Sequence, residues 1–217
     1  MSYPVDPAEM RVNHVAALAT TRASLRREKI AAREALSAAQ HAQLSASLGI
    51  HLADFLRHSP PTVLGFCWPY RGEFDCRPLV VTLLATGVRA CLPWVKGEEE
   101  AMDFREWRPD STLLTDRHGI PFPASGARLL PDLLLIPVNA FDAQGFRIGY
   151  GSGYFDRTLK SLDPKPLSLG VGFELARVAT IQPEIHDIPL DAVVTETGLE
   201  LYSDRARSHI SAHKRVK

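Results

Sequence analysis

The sequence predicts an α/β fold: a single domain with a mixed, largely parallel sheet flanked by helices and preceded by N-terminal helices. Three observations predict it. From Thr62 onward, short apolar runs bounded by proline and glycine recur, with LLLIP at Leu133–Pro137 the most continuous. Strands buried on both faces read as unbroken apolar runs, and that pattern belongs to parallel sheets covered by helices. Helical stretches separate these runs, and before them about forty residues are rich in Ala, Leu, Arg, Glu and Gln with no proline.

Val15–His58 is read as helix. Leu44, Leu48, Leu52, Phe55 and Leu56 fall on one helical face, and Leu18, Leu25 and Leu36 form a similar stripe upstream. Ser37 or Ser45 is the expected capping break. Thr62–Trp68 reads as a strand, Pro78–Ala85 as a helix, Val88–Pro93 as a strand and Asp132–Pro137 as a buried strand. Tyr154–Leu162 then suits a helix, and Leu167–Phe173 and Asp191–Glu196 are two more strands. The expected organisation is a tail at 1–14, one α/β domain at 15–204, and a basic, solvated tail at 205–217.

Composition narrows the function classes. The 25 basic and 25 acidic side chains balance, so the bulk electrostatic footprint of a nucleic-acid binder is missing. The three cysteines, Cys67, Cys76 and Cys91, lack zinc or redox-pair spacing and fit a reducing compartment. No apolar run approaches the roughly 20 residues that span a bilayer. The expectation is a cytoplasmic protein, a monomer or weak dimer, with no nucleic-acid or membrane partner.

The most informative segment runs from Leu133 to Leu159, where a buried strand leads into a glycine-rich loop and then a helix. Gly149, Gly151 and Gly153 alternate with Tyr150 and Ser152. Such a backbone adopts positive φ and approaches an anion closely, and the helix that follows adds free N–H donors and a positive dipole end. Arg147 and Arg157 bracket the loop with charge. The pattern matches neither the dinucleotide fingerprint nor the phosphate loop ending in Gly-Lys-Ser/Thr. Asp156 would oppose bound phosphates unless a cation lies between, which points to Mg²⁺; the simpler role is a helix cap.

Pro183–Glu196 supplies a second acidic cluster, in which Asp187 or Asp191 could complete a metal shell. Phe66–Leu79 places Trp68, Tyr70, Glu73 and Asp75 just after a strand, where α/β folds keep ligand groups. An aromatic wall with a carboxylate suits a flat heterocycle, Glu73 accepting from ring N–H groups. Trp94, Met102, Phe104 and Trp107 line either an apolar slot or the core. No nucleophile elbow or catalytic triad is visible.

The order of these segments resembles the 5-formyltetrahydrofolate cyclo-ligase family over about Arg22–Glu196. FDAQGFRIGYGSGYFDR, Phe141–Arg157, is similar to the family's Phe-Asp, glycine turn and Arg-Leu-Gly-x-Gly-x-Gly-Tyr-Tyr-Asp. Glu73 in GEFD, Leu92–Trp94 followed by Met102, and HDIPLDAVVTE add ordered matches. The resemblance implies cyclisation of 5-formyltetrahydrofolate to 5,10-methenyltetrahydrofolate, with ATP as co-substrate and Mg²⁺ as cofactor. It implies ATP contacts from Arg22, Arg26, Arg147, Ile148, Gly149, Tyr150, Gly151, Ser152, Gly153, Tyr154 and Phe155, with Arg147 and Asp156 as the catalytic pair. Substrate contacts fall to Glu73, Trp68, Met102, Trp107 and Tyr154, and metal ligation to Asp156 and Asp191. Three departures stand out: Arg22 replaces a lysine, Ser152 stands where a glycine or lysine is common, and PVNAFD at Pro137–Asp142 is unusual after its proline. A folate-binding paralogue without turnover, or an ATP-dependent enzyme for another small substrate, are the alternatives.

Overall fold

A computed structural model describes the backbone of residues 7–214 and the side chains of 21–210. Its elements are helices α1 (Pro7–Glu34) and α2 (Ala38–His58), strand β1 (Val63–Gly65), helix α3 (Arg77–Leu84) and strands β2 (Arg89–Trp94) and β3 (Asp103–Trp107). The hairpin of β4 (Leu113–Thr115) and β5 (Pro121–Pro123) follows, then β6 (Leu133–Pro137), β7 (Ala140–Phe141), β8 (Arg147–Ile148) and α4 (Tyr154–Ser161). The chain continues through β9 (Leu167–Val171), a 3-10 turn at Glu174–Ala176, β10 (Ala192–Thr195), β11 (Gly198–Leu201) and α5 (Asp204–Lys214).

The main sheet has seven strands in the order β11-β10-β9-β6-β1-β2-β3. Its five central strands are parallel, and β3 and β11 pair antiparallel at the edges. The predicted α/β class with a mixed, largely parallel sheet is therefore observed. Every central strand enters its next connection at the same edge, so the loops after β1, β6 and β9 gather where open α/β sheets hold ligands.

Local chemistry explains the breaks. Ser37 ends the long helical stretch with a capping box: its Oγ accepts the Gln40 N–H at 3.3 Å, and Gln40 Oε1 accepts the Ser37 N–H at 3.0 Å. The stripe on α2 then buries Leu48, Leu52, Phe55 and Leu56 against the sheet. Leu25 packs near Ala140 and Ile148, and Leu36 joins the core under α2; Leu18 lies outside the described side chains. Gly170 in β9 is required by close approach, since a Cβ there would lie 2.6 Å from Leu190 Cδ1.

Two expectations are corrected. The stretch read as a solvated tail begins inside α5, whose Ala206 is fully buried and whose Ile210 packs on the core. Two apolar contacts per helix are too few to show as periodicity. The tail expected at 1–14 is likewise helical from Pro7 onward. Among the described residues, no helix is long and apolar enough to cross a membrane.

Candidate active site

The glycine loop lies between β8 and α4. Gly151 and Gly153 have φ of 107° and 64°, the conformations that the alternating glycines predict. Gly153 starts α4 without any side-chain cap, so the first-turn N–H groups of α4 have no partner within the helix. Asp156 does not act as a cap. Its Oδ1 accepts the Ile188 N–H at 3.1 Å and pairs with Arg147 Nη2 at 3.1 Å. A cleft of about 510 Å³ opens between Gly151–Gly153, the α4 face bearing Asp156, Arg157 and Lys160, and the segment Ile185–Ile188.

Arg147 sits behind that cleft. Its side chain is 4% exposed, and Nη1 donates to the Ile188 carbonyl at 2.9 Å. Burial pushes its guanidinium down from the ordinary value while Asp156 opposes the change. The residue predicted to touch phosphate therefore neutralises and orients Asp156. Ile148, on β8, is buried beside Ala140 and Ile181 and offers only backbone to a ligand.

Helix α1 lays a basic stripe across the loop. Arg26 Nε donates to the Gly149 carbonyl at 2.7 Å, and its guanidinium lies against Gly151. Arg22 forks onto Asp187 at 2.6 and 3.0 Å. Burial pushes the Asp187 carboxyl up, but Arg22 and the Glu184 N–H outweigh it and hold the group below its ordinary range. The stripe also contains Arg33, which sequence reasoning missed. Arg22, Arg26, Lys29 and Arg33 are spaced 4, 3 and 4 residues apart, the repeat of one helical face, and that spacing was the available signal.

Arg33 is buried and joins the loop to the predicted substrate carboxylate. It donates to Asn139 Oδ1 at 2.9 Å, to the Arg71 carbonyl at 3.0 Å and to the Tyr150 hydroxyl at 3.1 Å, and lies 3.8 Å from Glu73. Tyr150 in turn donates to Glu73 Oε1 at 2.7 Å, while Glu73 Oε2 accepts the Tyr70 N–H at 3.0 Å. The unusual Asn139 of PVNAFD is thus a partner of Arg33. Burial raises the Glu73 pKa, and the hydrogen bond from Tyr150 and the Arg33 charge offset it only in part. A void of about 20 Å³ adjoins Glu73, bordered by Cys67 and Cys76. Burial pushes both thiols up, Cys76 to about 12, so neither supplies a thiolate nucleophile.

Other predicted site residues are placed elsewhere. Trp107 is buried, edge-on to Phe66 at 5.2 Å and to Trp68 at 6.5 Å, and Met102 is buried with its N–H on Thr158. Both are core, not cleft. Trp68 is half-buried beneath the Arg77 guanidinium at 4.3 Å. Tyr154 is half-buried, stacks with Arg157 at 5.0 Å and meets His118 edge-on, while Phe155 packs on the buried cluster that includes Phe141, Leu159 and Leu190.

Asp191 does not line the cleft that Asp156 borders. Its Oδ2 accepts the Ser168 N–H and hydroxyl, each at 2.9 Å, and its Oδ1 accepts the Ser203 hydroxyl at 2.6 Å. It clamps β9 to β10, and the acid that shares the cleft with Asp156 is Asp187. Asp191→Ala leaves the buried Ser168 N–H unsatisfied and should cost about 3 kcal/mol, a melting decrease on the order of 6–12 °C. Thermal unfolding checks this. A magnesium requirement that rises in the variant without loss of stability would return Asp191 to the metal site.

A parallel-centred sheet carrying an uncapped helix N-terminus, a glycine loop, a basic helical stripe and a cleft acid is that of an α/β protein whose cleft suits an anionic ligand. The model of the 5-formyltetrahydrofolate cyclo-ligase family matches residues 19–196, and the chain belongs to that family of ligases. It is 33% identical over 159 residues to the 5-formyltetrahydrofolate cyclo-ligase of Escherichia coli K12, covering 68% of this chain and 87% of that protein. The Haemophilus influenzae protein of the same name is 26% identical over 176 residues, covering 78% and 94%. The solved structure of Aquifex aeolicus 5,10-methenyltetrahydrofolate synthetase superposes with a TM-score of 0.74 at 28% identity, covering 84% of this chain and 93% of that one.

Proposed function

We propose that this chain converts 5-formyltetrahydrofolate to 5,10-methenyltetrahydrofolate with consumption of ATP. The observation that carries the reading is the chain of hydrogen bonds from the glycine loop through Tyr150 to Glu73, which ties the carboxylate proposed to read the ring to the loop proposed to hold phosphate. In the proposed reaction the formyl oxygen attacks the γ-phosphorus, and the bond from that phosphorus to the β-phosphate oxygen breaks to release ADP. The activated formyl carbon then accepts the N10 lone pair, N10 gives up its proton, and the carbon–oxygen bond breaks to release phosphate. Positioned charge drives such a transfer, and no protein nucleophile is needed. That agrees with the raised thiols and the missing triad.

The residues present fit magnesium. Asp156 borders the cleft and, among the described residues, only its Oδ1 has a protein partner. Mg²⁺ commonly takes one or two carboxylates with water and phosphate oxygens, so Asp156 would hold the ion, with Asp187 at the opposite wall. Bound there, the metal would screen phosphate charge. Glu73 would accept ring N–H groups, and Arg26 and Arg33 would fix the loop on either side of Tyr150.

The test is the absorbance rise of the methenyl product when purified protein meets 5-formyltetrahydrofolate, magnesium and ATP, with controls lacking each. A rise that needs all three supports the reading. No rise, despite demonstrated ATP binding, would point to another substrate on the same phosphate site.

A further inference from the structure

Six cationic side chains from α1, β8 and α4 surround the glycine loop, and four of them are already engaged. Arg147 is paired with Asp156, Arg22 with Asp187 and Arg33 with Glu73, and Arg26 is directed at the Gly149 carbonyl. The other two project from α4. Arg157 donates to the Ser152 carbonyl at 2.7 Å and reaches the Glu100 carbonyl at 3.5 Å, both uncharged groups. Its Nη1 lies where a Cβ on Gly153 would come within 2.9 Å, directly against the start of the helix. Lys160 is exposed and, among the described residues, has no acid partner. Spacings of three and four residues put Asp156, Arg157 and Lys160 on one face of α4, and all three border the same cleft.

The charge on that wall is therefore unbalanced. Asp156 and Asp187 each have an arginine behind them, and Arg26, Arg157 and Lys160 stand against one further acid, Glu184 at 3.8 Å from Arg22, so the cleft faces an incoming ligand with a surplus of positive charge next to an uncapped helix N-terminus. An anion with several charges restores the balance. We propose that Arg157 and Lys160 are the side chains that hold the polyphosphate tail of the nucleotide. The loop from Gly149 to Gly153 carries no charged side chain, and the helix behind it supplies the charge. Arg157 has the second task of bracing the Ser152 carbonyl. The inference rests on the reading of the cleft as the ATP site.

Calorimetric titration of ATP with magnesium into the full-length wild type, Lys160→Gln, Arg157→Gln, Arg157→Lys and the double glutamine variant tests it. Each glutamine variant should bind ATP about tenfold more weakly and the double variant about 100-fold, as for loss of charge-assisted contacts in a solvent-open cleft. Arg157→Lys should recover most of the affinity lost in Arg157→Gln. The double variant should also show a shallower dependence of affinity on salt. Affinity for 5-formyltetrahydrofolate should not change. Among the described residues Lys160 has no acid partner to lose, so Lys160→Gln decides the matter even if Arg157→Gln misfolds. ATP affinities equal to that of a wild type that binds ATP would overturn this inference alone. A wild type that binds no ATP would overturn the nucleotide reading together with it.

Discussion

Glu73→Gln is expected to weaken binding of 5-formyltetrahydrofolate by about 100-fold, since a charge-assisted hydrogen bond contributes about 1.5–3 kcal/mol and each 1.4 kcal/mol is tenfold. Glutamine keeps one acceptor oxygen, which can serve Tyr150 or the Tyr70 N–H but not a ring donor as well. The substitution also leaves the buried Arg33 without its nearest carboxylate, 3.8 Å away. Affinity for ATP with magnesium should stay unaltered, because none of the groups facing the phosphate cleft is changed. Equilibrium binding of each ligand separates the two effects. Equal loss of both affinities would mean that Glu73 holds the loop rather than the ring.

The same residue predicts a pH dependence. Burial raises the Glu73 pKa, so on acidification the carboxylate is neutralised before pH reaches the ordinary glutamate value of 4.5. The ionised form is the better acceptor for ring N–H groups. Folate affinity of the wild type should therefore begin to fall above pH 4.5 as the solution is acidified, and Glu73→Gln should lack that fall. Tyr150 does not interfere: burial and the Glu73 charge push its hydroxyl well up, so it remains a donor throughout.

What the sequence made legible follows burial. Leu133–Ile136 of β6 and all of β9 and β10 are buried, and such strands read as apolar runs. Strand β3 escaped because it is an edge strand whose Asp103, Arg105 and Glu106 break the run. The short pairings β4–β5 and β7–β8 escaped because two or three residues, some of them proline, show no period. At the site, glycines announced the loop because their conformational freedom is a local property. The partners of Arg33 are 38, 106 and 117 residues away, and no local pattern carries that information. Asp187 and Asp191 were indistinguishable for the same reason: which one faces Asp156 depends on Ser168 and Ser203, which capture Asp191, and on Arg22, which draws Asp187 to the loop.

Asp156→Asn should lower turnover by about 100-fold and raise the magnesium concentration needed for half-maximal rate, because a metal that stabilises transferring phosphate is worth several kcal/mol. The fold should survive, since asparagine Oδ1 still accepts the Ile188 N–H. Stability should nonetheless fall by about 3 kcal/mol, as the buried Arg147 loses its counter-charge. These two losses have different origins, and a double-mutant cycle separates them. If Arg147 acts only by holding Asp156, Arg147→Met alone should depress turnover, and adding it to Asp156→Asn should depress turnover no further. Its side chain, 4% exposed and hydrogen-bonded to the Ile188 carbonyl, favours that outcome. Losses that multiply in the double variant would instead give Arg147 its own contact with phosphate. Turnover of Asp156→Asn within about threefold of wild type, at any magnesium concentration, would remove Asp156 from the metal site.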